Sequence, residues 1–296
     1  MRRVHLLLGD PRDSCCAGVH ARLTERGLAV QIVASPLTPP GRFAWRLDDD
    51  GPTSWLELDG GPVEVEGVLV RAIPWLDPTG WAPADHAYMQ AELLAATLAW
   101  LATLPCPVVN RPSAETWYRG GASLLAWRPL LRRCGLEAPE QLITNDPADA
   151  RSFGRQLANA GRFGAVYTPL TSDANYLVAS DAAWHGIAEL QDRSPVCLTE
   201  PHGPALPACV VGREVIWDQD PPPETRALEP RLLALAAAAD AEFLEVVTAP
   251  LRDGPGVVFA ERTPVLEHFS APTRVRILDA LAGLFLPVTA TPDAVS

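Results

Sequence analysis

The chain has 296 residues, 48% of them hydrophobic, enough to build more than one core. Its formal net charge is −12, which argues against a nucleic-acid backbone as the main partner. All 24 basic residues are arginine, so no lysine can clamp a phosphate or form a Schiff base.

Residues 2–10, RRVHLLLGD, read as a buried strand, 16–28 as a helix ending near Gly27, and 29–35 as a second strand. This β–α–β start predicts a parallel, Rossmann-like sheet without a GxGxxG fingerprint. Residues 42–65 read as a hairpin turning at Asp50-Gly51-Pro52, with a further turn at Gly60-Gly61. A strand over 67–75 carries Arg71 at its end, where a substrate carboxylate or plain solvent are equal alternatives as its partner. A long helix follows over 85–104 with Asp85 as N-cap, then a short strand over 106–112. Beyond residue 112 the pattern predicts a helix over 123–136 stopped by Gly135 and a strand over 139–146. A helix over 146–161 and a strand over 163–170 come next. Strands follow over 194–201 and 206–220, the second turning at Gly212-Arg213. The last elements are a helix within 229–247 running towards a strand, a strand over 256–264, and a helix over 271–286.

Six cysteines without a CxxC pair read as free thiols of a reducing compartment. The apolar start is too short for a signal peptide, and the longest apolar helical run, 93–104, is too short for a bilayer. A soluble cytoplasmic protein with no membrane partner is expected.

Four stretches carry a resemblance: VLVRAIPW to CPVVNRP (68–112), LLRRCGLEAPEQLITNDPADARSF (130–153), LTEPHGPALPACVVGREVIW (198–217) and VVFAERTPVLEHF (257–269). Their order resembles the ATP-grasp superfamily, in its glutathione-synthetase-like and peptide-modifying carboxylate–amine ligase branch. The resemblance implies an α/β and α+β fold: a Rossmann-like pre-ATP-grasp domain (1–112), then ATP-grasp-like subdomains over 113–200 and 201–296. It implies ATP and Mg²⁺ as cofactors, a peptide or small-molecule carboxylate as partner, and a homodimer. Such ligases phosphorylate a carboxylate, and an amine then displaces the phosphate; the chemistry is charge neutralisation and positioning.

Checked position by position, the family's pattern is depleted. The first phosphate lysine falls near Ser123 or Leu124, flanked by Arg119 and Arg128, and the second falls at Thr168 in VYTPL. A threonine hydroxyl brings one hydrogen bond and no charge. Glu200 in LTEP matches the hinge acid, beside the backbone that receives adenine. Pro207 or Ala208 stands for an expected arginine. Of the Mg²⁺ ligands Glu261 remains, Thr263 replaces the asparagine, and no acid occupies Val247–Thr248; Glu242, Glu245 and Asp253 read as out of phase. His202, Glu267 and His268 are scattered and fit structural roles better than a metal site.

The sequence therefore favours a non-catalytic protein of this fold, with Glu200, Thr168 and Arg128 lining the former nucleotide cleft, Arg71 facing a substrate and Glu261 as a metal ligand. Its partner is then a peptide, a metabolite or a catalytic paralogue. The alternative is an active divergent ligase in which arginine replaces lysine.

Overall fold

Residues 1–48, 51–59, 61–72, 74–113, 124–169 and 175–286 are described by the computed structural model. Strand β1 (Arg2–Leu8) is buried over its last five residues, as a central parallel strand covered on both faces must be. Asp13 accepts a hydrogen bond from the Cys16 amide and so caps α1 (Ser14–Glu25). Gly27, at φ 76°, turns the chain into β2 (Val30–Val33), which pairs parallel with β1. Strands β3 (Arg42–Asp48), β4 (Gly51–Leu58) and β5 (Gly61–Val70) form an antiparallel meander, and β5 then runs parallel to β1. The expected strand over 67–75 is thus the second half of β5. Helix α2 (Pro83–Thr103) crosses to β6 (Val108–Val109), parallel to β5. Its N-cap is Ala82, not Asp85, because Pro83 already has the φ that a first helical residue needs.

A second sheet is wholly antiparallel, in the order β7-β10-β8-β9. It follows helix α3 (Leu124–Arg133) and comprises β7 (Gln141–Thr144), β8 (Ala165–Tyr167), β9 (Tyr176–Val178) and β10 (Val196–Thr199). Helices α4 (Pro147–Asn159) and α5 (Asp181–Gln191) cover one face, where Phe153, Leu157 and Ile187 meet Ala165, Val178, Val196 and Leu198.

The third sheet has the order β12-β11-β13-β14: β11 (Leu206–Val211), β12 (Glu214–Trp217), β13 (Phe243–Pro250) and β14 (Pro255–Glu261). Helices α6 (Pro223–Arg226) and α7 (Glu229–Ala238) precede β13; a 3-10 turn (Leu266–His268) and α8 (Ala271–Gly283) follow β14. Alternation along these strands serves two cores. Cys209, Val211 and Phe243 face β1, α1 and α8, whereas Ala208, Val210, Leu244 and Val246 face α3 and α7.

The first and third sheets therefore share one core, and Asn110 seals the joint. Its side-chain amide donates to the carbonyls of Phe243 (2.6 Å) and Arg262 (2.5 Å), and its Oδ1 accepts from the Phe243 amide (2.9 Å). Asn110 sits at φ 54°, a left-handed position that asparagine tolerates better than most residues.

Candidate functional site

Strand β1 leads through α1 to one side of the parallel sheet, and β5 leads through α2 to the other. The carboxyl ends of β1 and β5 thus flank the point where ligands of open α/β sheets bind. Arg71 leaves β5 there, its amide bonded to the Leu8 carbonyl at 2.8 Å. Two of its three guanidinium nitrogens are engaged, and the buried Nη1 has no hydrogen-bond partner among the described residues. Nε and Nη2 donate to Asp13 at 3.0 and 3.3 Å, and the group lies 5.8 Å from the centre of the Phe243 ring. The Arg71 side chain is only 8% exposed. Burial raises the Asp13 pKa, but the Arg71 hydrogen bond and charge and the Cys16 amide outweigh it, so the carboxyl sits below its usual range. The carboxylate that meets Arg71 is the chain's own. Beside it, burial pushes the Cys15 thiol up to about 12, far from a reactive thiolate.

Glu200, Thr168 and Arg128 gather around the second sheet, each with an internal partner. Glu200 is buried just after β10, where Arg162 reaches its Oε1 at 3.2 Å and the Glu140 amide donates to Oε2 at 3.2 Å. Its own amide donates to the Glu140 carbonyl at 2.8 Å, so this hinge N–H is used within the chain. A cavity of about 240 Å³ lies alongside, lined by Glu140, Leu157, Arg162, Glu200 and Arg252. Thr168 follows β8; its amide bonds the Cys197 carbonyl at 3.0 Å and its hydroxyl donates to Asn175 Oδ1 at 2.7 Å. The hydroxyl thereby ties the two ends of the β8–β9 connection. Arg128 projects from α3 to the Pro139 carbonyl (2.6 Å) and the Gln141 side chain (3.3 Å), stapling the helix to the entry of β7. Ser123 and Arg119 lie outside the described residues.

Glu261 ends β14, and its Oε1 accepts from the Thr263 amide at 2.9 Å. The pairing of β13 with β14 corrects the phase read from sequence. Glu245 stands directly opposite Glu261, whereas Val247 faces Phe259 and, past a one-residue register shift, Thr248 faces Val257. Directly opposite residues share a sheet face. Glu245 is 1% exposed, yet both its oxygens are engaged: His268 Nδ1 lies 2.7 Å from Oε1 and the Val265 amide donates to Oε2 at 3.0 Å. The pair fixes the 3-10 turn against β13. His202 instead bonds its neighbour's carbonyl, the Gly203 oxygen, at 2.8 Å.

Holding a nucleoside triphosphate for phosphoryl transfer requires several positive charges and hard oxygen ligands around Mg²⁺. Among the described residues no three His, Cys, Asp or Glu side chains converge to hold a metal ion. Arg128 through Nη1 and Arg71 through Nε and Nη2 donate to internal acceptors, and Thr168 supplies no charge. Among the described residues, the matched positions do not assemble the charges and oxygen ligands that Mg-ATP requires. Sequence reasoning missed three elements of this picture: the Asp13 partner of Arg71, the Arg162 partner of Glu200, and the Glu245–His268 pair. Only the Ser-Cys-Cys helix start after Asp13 hinted at the first, by marking Asp13 as an N-cap.

No family model matches the chain, and no curated protein matches it in sequence. Solved structures do match. The macrocyclase MdnC from Microcystis aeruginosa MRC, bound with precursor peptide MdnA, is 16% identical, with 95% of this chain and 98% of that one covered at a TM-score of 0.73. A Chryseobacterium gregarium RiPP-associated ATP-grasp ligase, in complex with ADP and a leader and core peptide, is 14% identical, with 96% of each chain covered at 0.73. The ATP-grasp ligase PsnB, complexed with a phosphomimetic variant of its minimal precursor, Mg and ADP, is 18% identical, with 96% and 98% covered at 0.75. The fold is that of the ATP-grasp peptide-modifying ligases, over nearly the whole chain. Among the described residues no helix is long and apolar enough to cross a membrane.

Proposed function

We propose that this chain is a peptide-binding protein on an ATP-grasp ligase fold that has given up nucleotide chemistry. The observation that carries the reading is the internal commitment of the candidate groups: Arg71 to Asp13, Glu200 to Arg162, Arg128 to Pro139 and Gln141, and Glu245 to His268. A cleft kept for ATP would leave charges free for phosphates, as phosphoryl transfer demands. The alternative, arginine replacing lysine in an active ligase, draws little from Arg128, whose Nη1 staples α3 to Pro139 and Gln141 on its own chain. The peptide partner follows from the neighbours of this fold, whose structures hold precursor peptides. A catalytic paralogue and a second copy of the chain are the further partners of this reading.

Thermal unfolding with and without ligand tests the proposal. A ligand present at a hundred times its Kd stabilises by about 2.7 kcal/mol, which shifts Tm by roughly 4–5 °C for a chain of this size. Peptide should produce such a shift, and millimolar Mg-ATP should produce none. A nucleotide-dependent rise in Tm, or phosphate release with peptide present, would sink the reading.

A further inference from the structure

We infer that the groove between α4 and α5 binds an extended acidic segment of a peptide; the inference rests on the peptide-binding reading above and names the chemistry of the segment. The groove is a cavity of about 260 Å³ lined by Arg151, Gly154, Arg155, Ala158, Asp181 and Trp184. Arg151 and Arg155 are one helical turn apart and share a face of α4. Both are exposed, and neither has a hydrogen bond or ion pair among the described residues. They differ in this from Arg71, Arg128 and Arg162, each of which is bound within the chain.

The floor is shaped by one glycine. A Cβ on Gly154 would come within 2.5 Å of the Trp184 ring, so only glycine lets the indole lie against α4 between the two arginines. The groove thus offers two unpaired guanidiniums, an aromatic surface and one rim carboxylate, Asp181. Guanidinium pairs carboxylate through two parallel N–H donors, a match lysine cannot make. Residues one helical turn apart stand about 5–6 Å from each other. In an extended strand, residues i and i+2 stand roughly 7 Å apart on one side. A Glu-x-Glu or Asp-x-Asp segment laid along α4 therefore meets both arginines, and an apolar residue beside it covers Trp184. Asp181 is left to accept a peptide N–H at the far rim. Local charge supports this occupant: the groove sets two guanidiniums against one carboxylate, a positive spot on a chain whose net −12 by itself repels acidic segments.

The test uses fluorescence anisotropy of labelled short peptides with the whole protein at low salt. A Glu-x-Glu-Phe peptide should bind, its Lys-x-Lys counterpart should not, and added salt should weaken binding. Each arginine makes an exposed pair, so Arg151→Gln or Arg155→Gln should weaken binding about three- to fivefold. R151E/R155E should weaken it on the order of a hundredfold. Both positions are exposed, and an unchanged melting curve establishes that each variant is folded. Equal binding by wild type and R151E/R155E overturns the assignment, as does equal binding of a single-stranded oligonucleotide, which would make the groove a general anion site. If other peptides bind wild type and R151E/R155E alike while Glu-x-Glu-Phe binds neither, the groove falls and the peptide-binding reading stands. If no peptide binds at all, both fall.

Discussion

Asp13 performs two tasks that different substitutions separate. Its carboxylate caps α1 and neutralises Arg71. Asparagine caps a helix about as well as aspartate, so Asp13→Asn removes the charge and keeps the cap. Arg71 then remains nine-tenths buried without a counter-charge. Removing one partner of a buried pair costs about 3–5 kcal/mol. Asp13 is itself 26% exposed, and asparagine still offers an oxygen, so the expected loss is about 2–3 kcal/mol. Asp13→Ala should cost about 1 kcal/mol more, the worth of the cap. Asp13→Asn with Arg71→Met removes both charges and should recover most of the loss. Urea unfolding at neutral pH, followed by tryptophan fluorescence, reads these differences as shifts in midpoint at constant slope. The pH dependence has a fixed sign. The folded Asp13 carboxyl titrates below the usual 3.8, so its stabilisation is present above that value and disappears as pH falls through the lower, folded value. The gap between wild type and Asp13→Asn should therefore close in strong acid. An Asp13→Asn protein within about 0.5 kcal/mol of wild type at neutral pH, the ordinary range for a surface change, would refute the argument. So would a double variant no more stable than the single one.

Three further outcomes are expected. Thr168→Lys should leave the protein without a Tm response to Mg-ATP, since one added charge restores neither the metal ligands nor the other cations; a clear nucleotide response would show that the cleft is otherwise intact. Asn110→Gly should cost about 3 kcal/mol through three lost hydrogen bonds at the joint, and Asn110→Ala about 1 kcal/mol more because its backbone is left-handed; chemical denaturation measures both. Gly154→Ala gains about 1 kcal/mol of helix propensity but loses about 1–3 kcal/mol to overpacking against Trp184, so its melting temperature should fall or stay level rather than rise.

Much of the element order was legible because it depends on local pattern. The run LLLG announces β1, Asp146-Pro147 announces α4, and Gly212-Arg213 turns β11 into β12, as read. Helix α5 is signalled only by Ser180 before Asp181 and by the spacing of Trp184, Ile187 and Leu190, a short and weak amphipathic pattern. Strand β9 is only three residues long, too short for alternation to speak. The pairing of Glu245 with Glu261 escapes the sequence for a different reason. A register shift at Val247/Thr248 leaves no mark in composition, yet it decides which acid faces Glu261.

By itself, the sequence determined that the chain has no lysine, that its apolar runs must be buried, and that an acid remains at positions 200 and 261. These are properties of single residues and short windows. Which charges are free is a property of distance. Arg71 and Asp13 are separated by 58 residues, Glu245 and His268 by 23, and each pair meets only because sheets and helices pack as they do. The tertiary structure alone decided that Arg71 meets Asp13 and Glu200 meets Arg162, and that among the described residues Arg151 and Arg155 have no such partner. A hydrogen bond forms only within about 3 Å, so no reading along the chain could have told a stapled arginine from a free one.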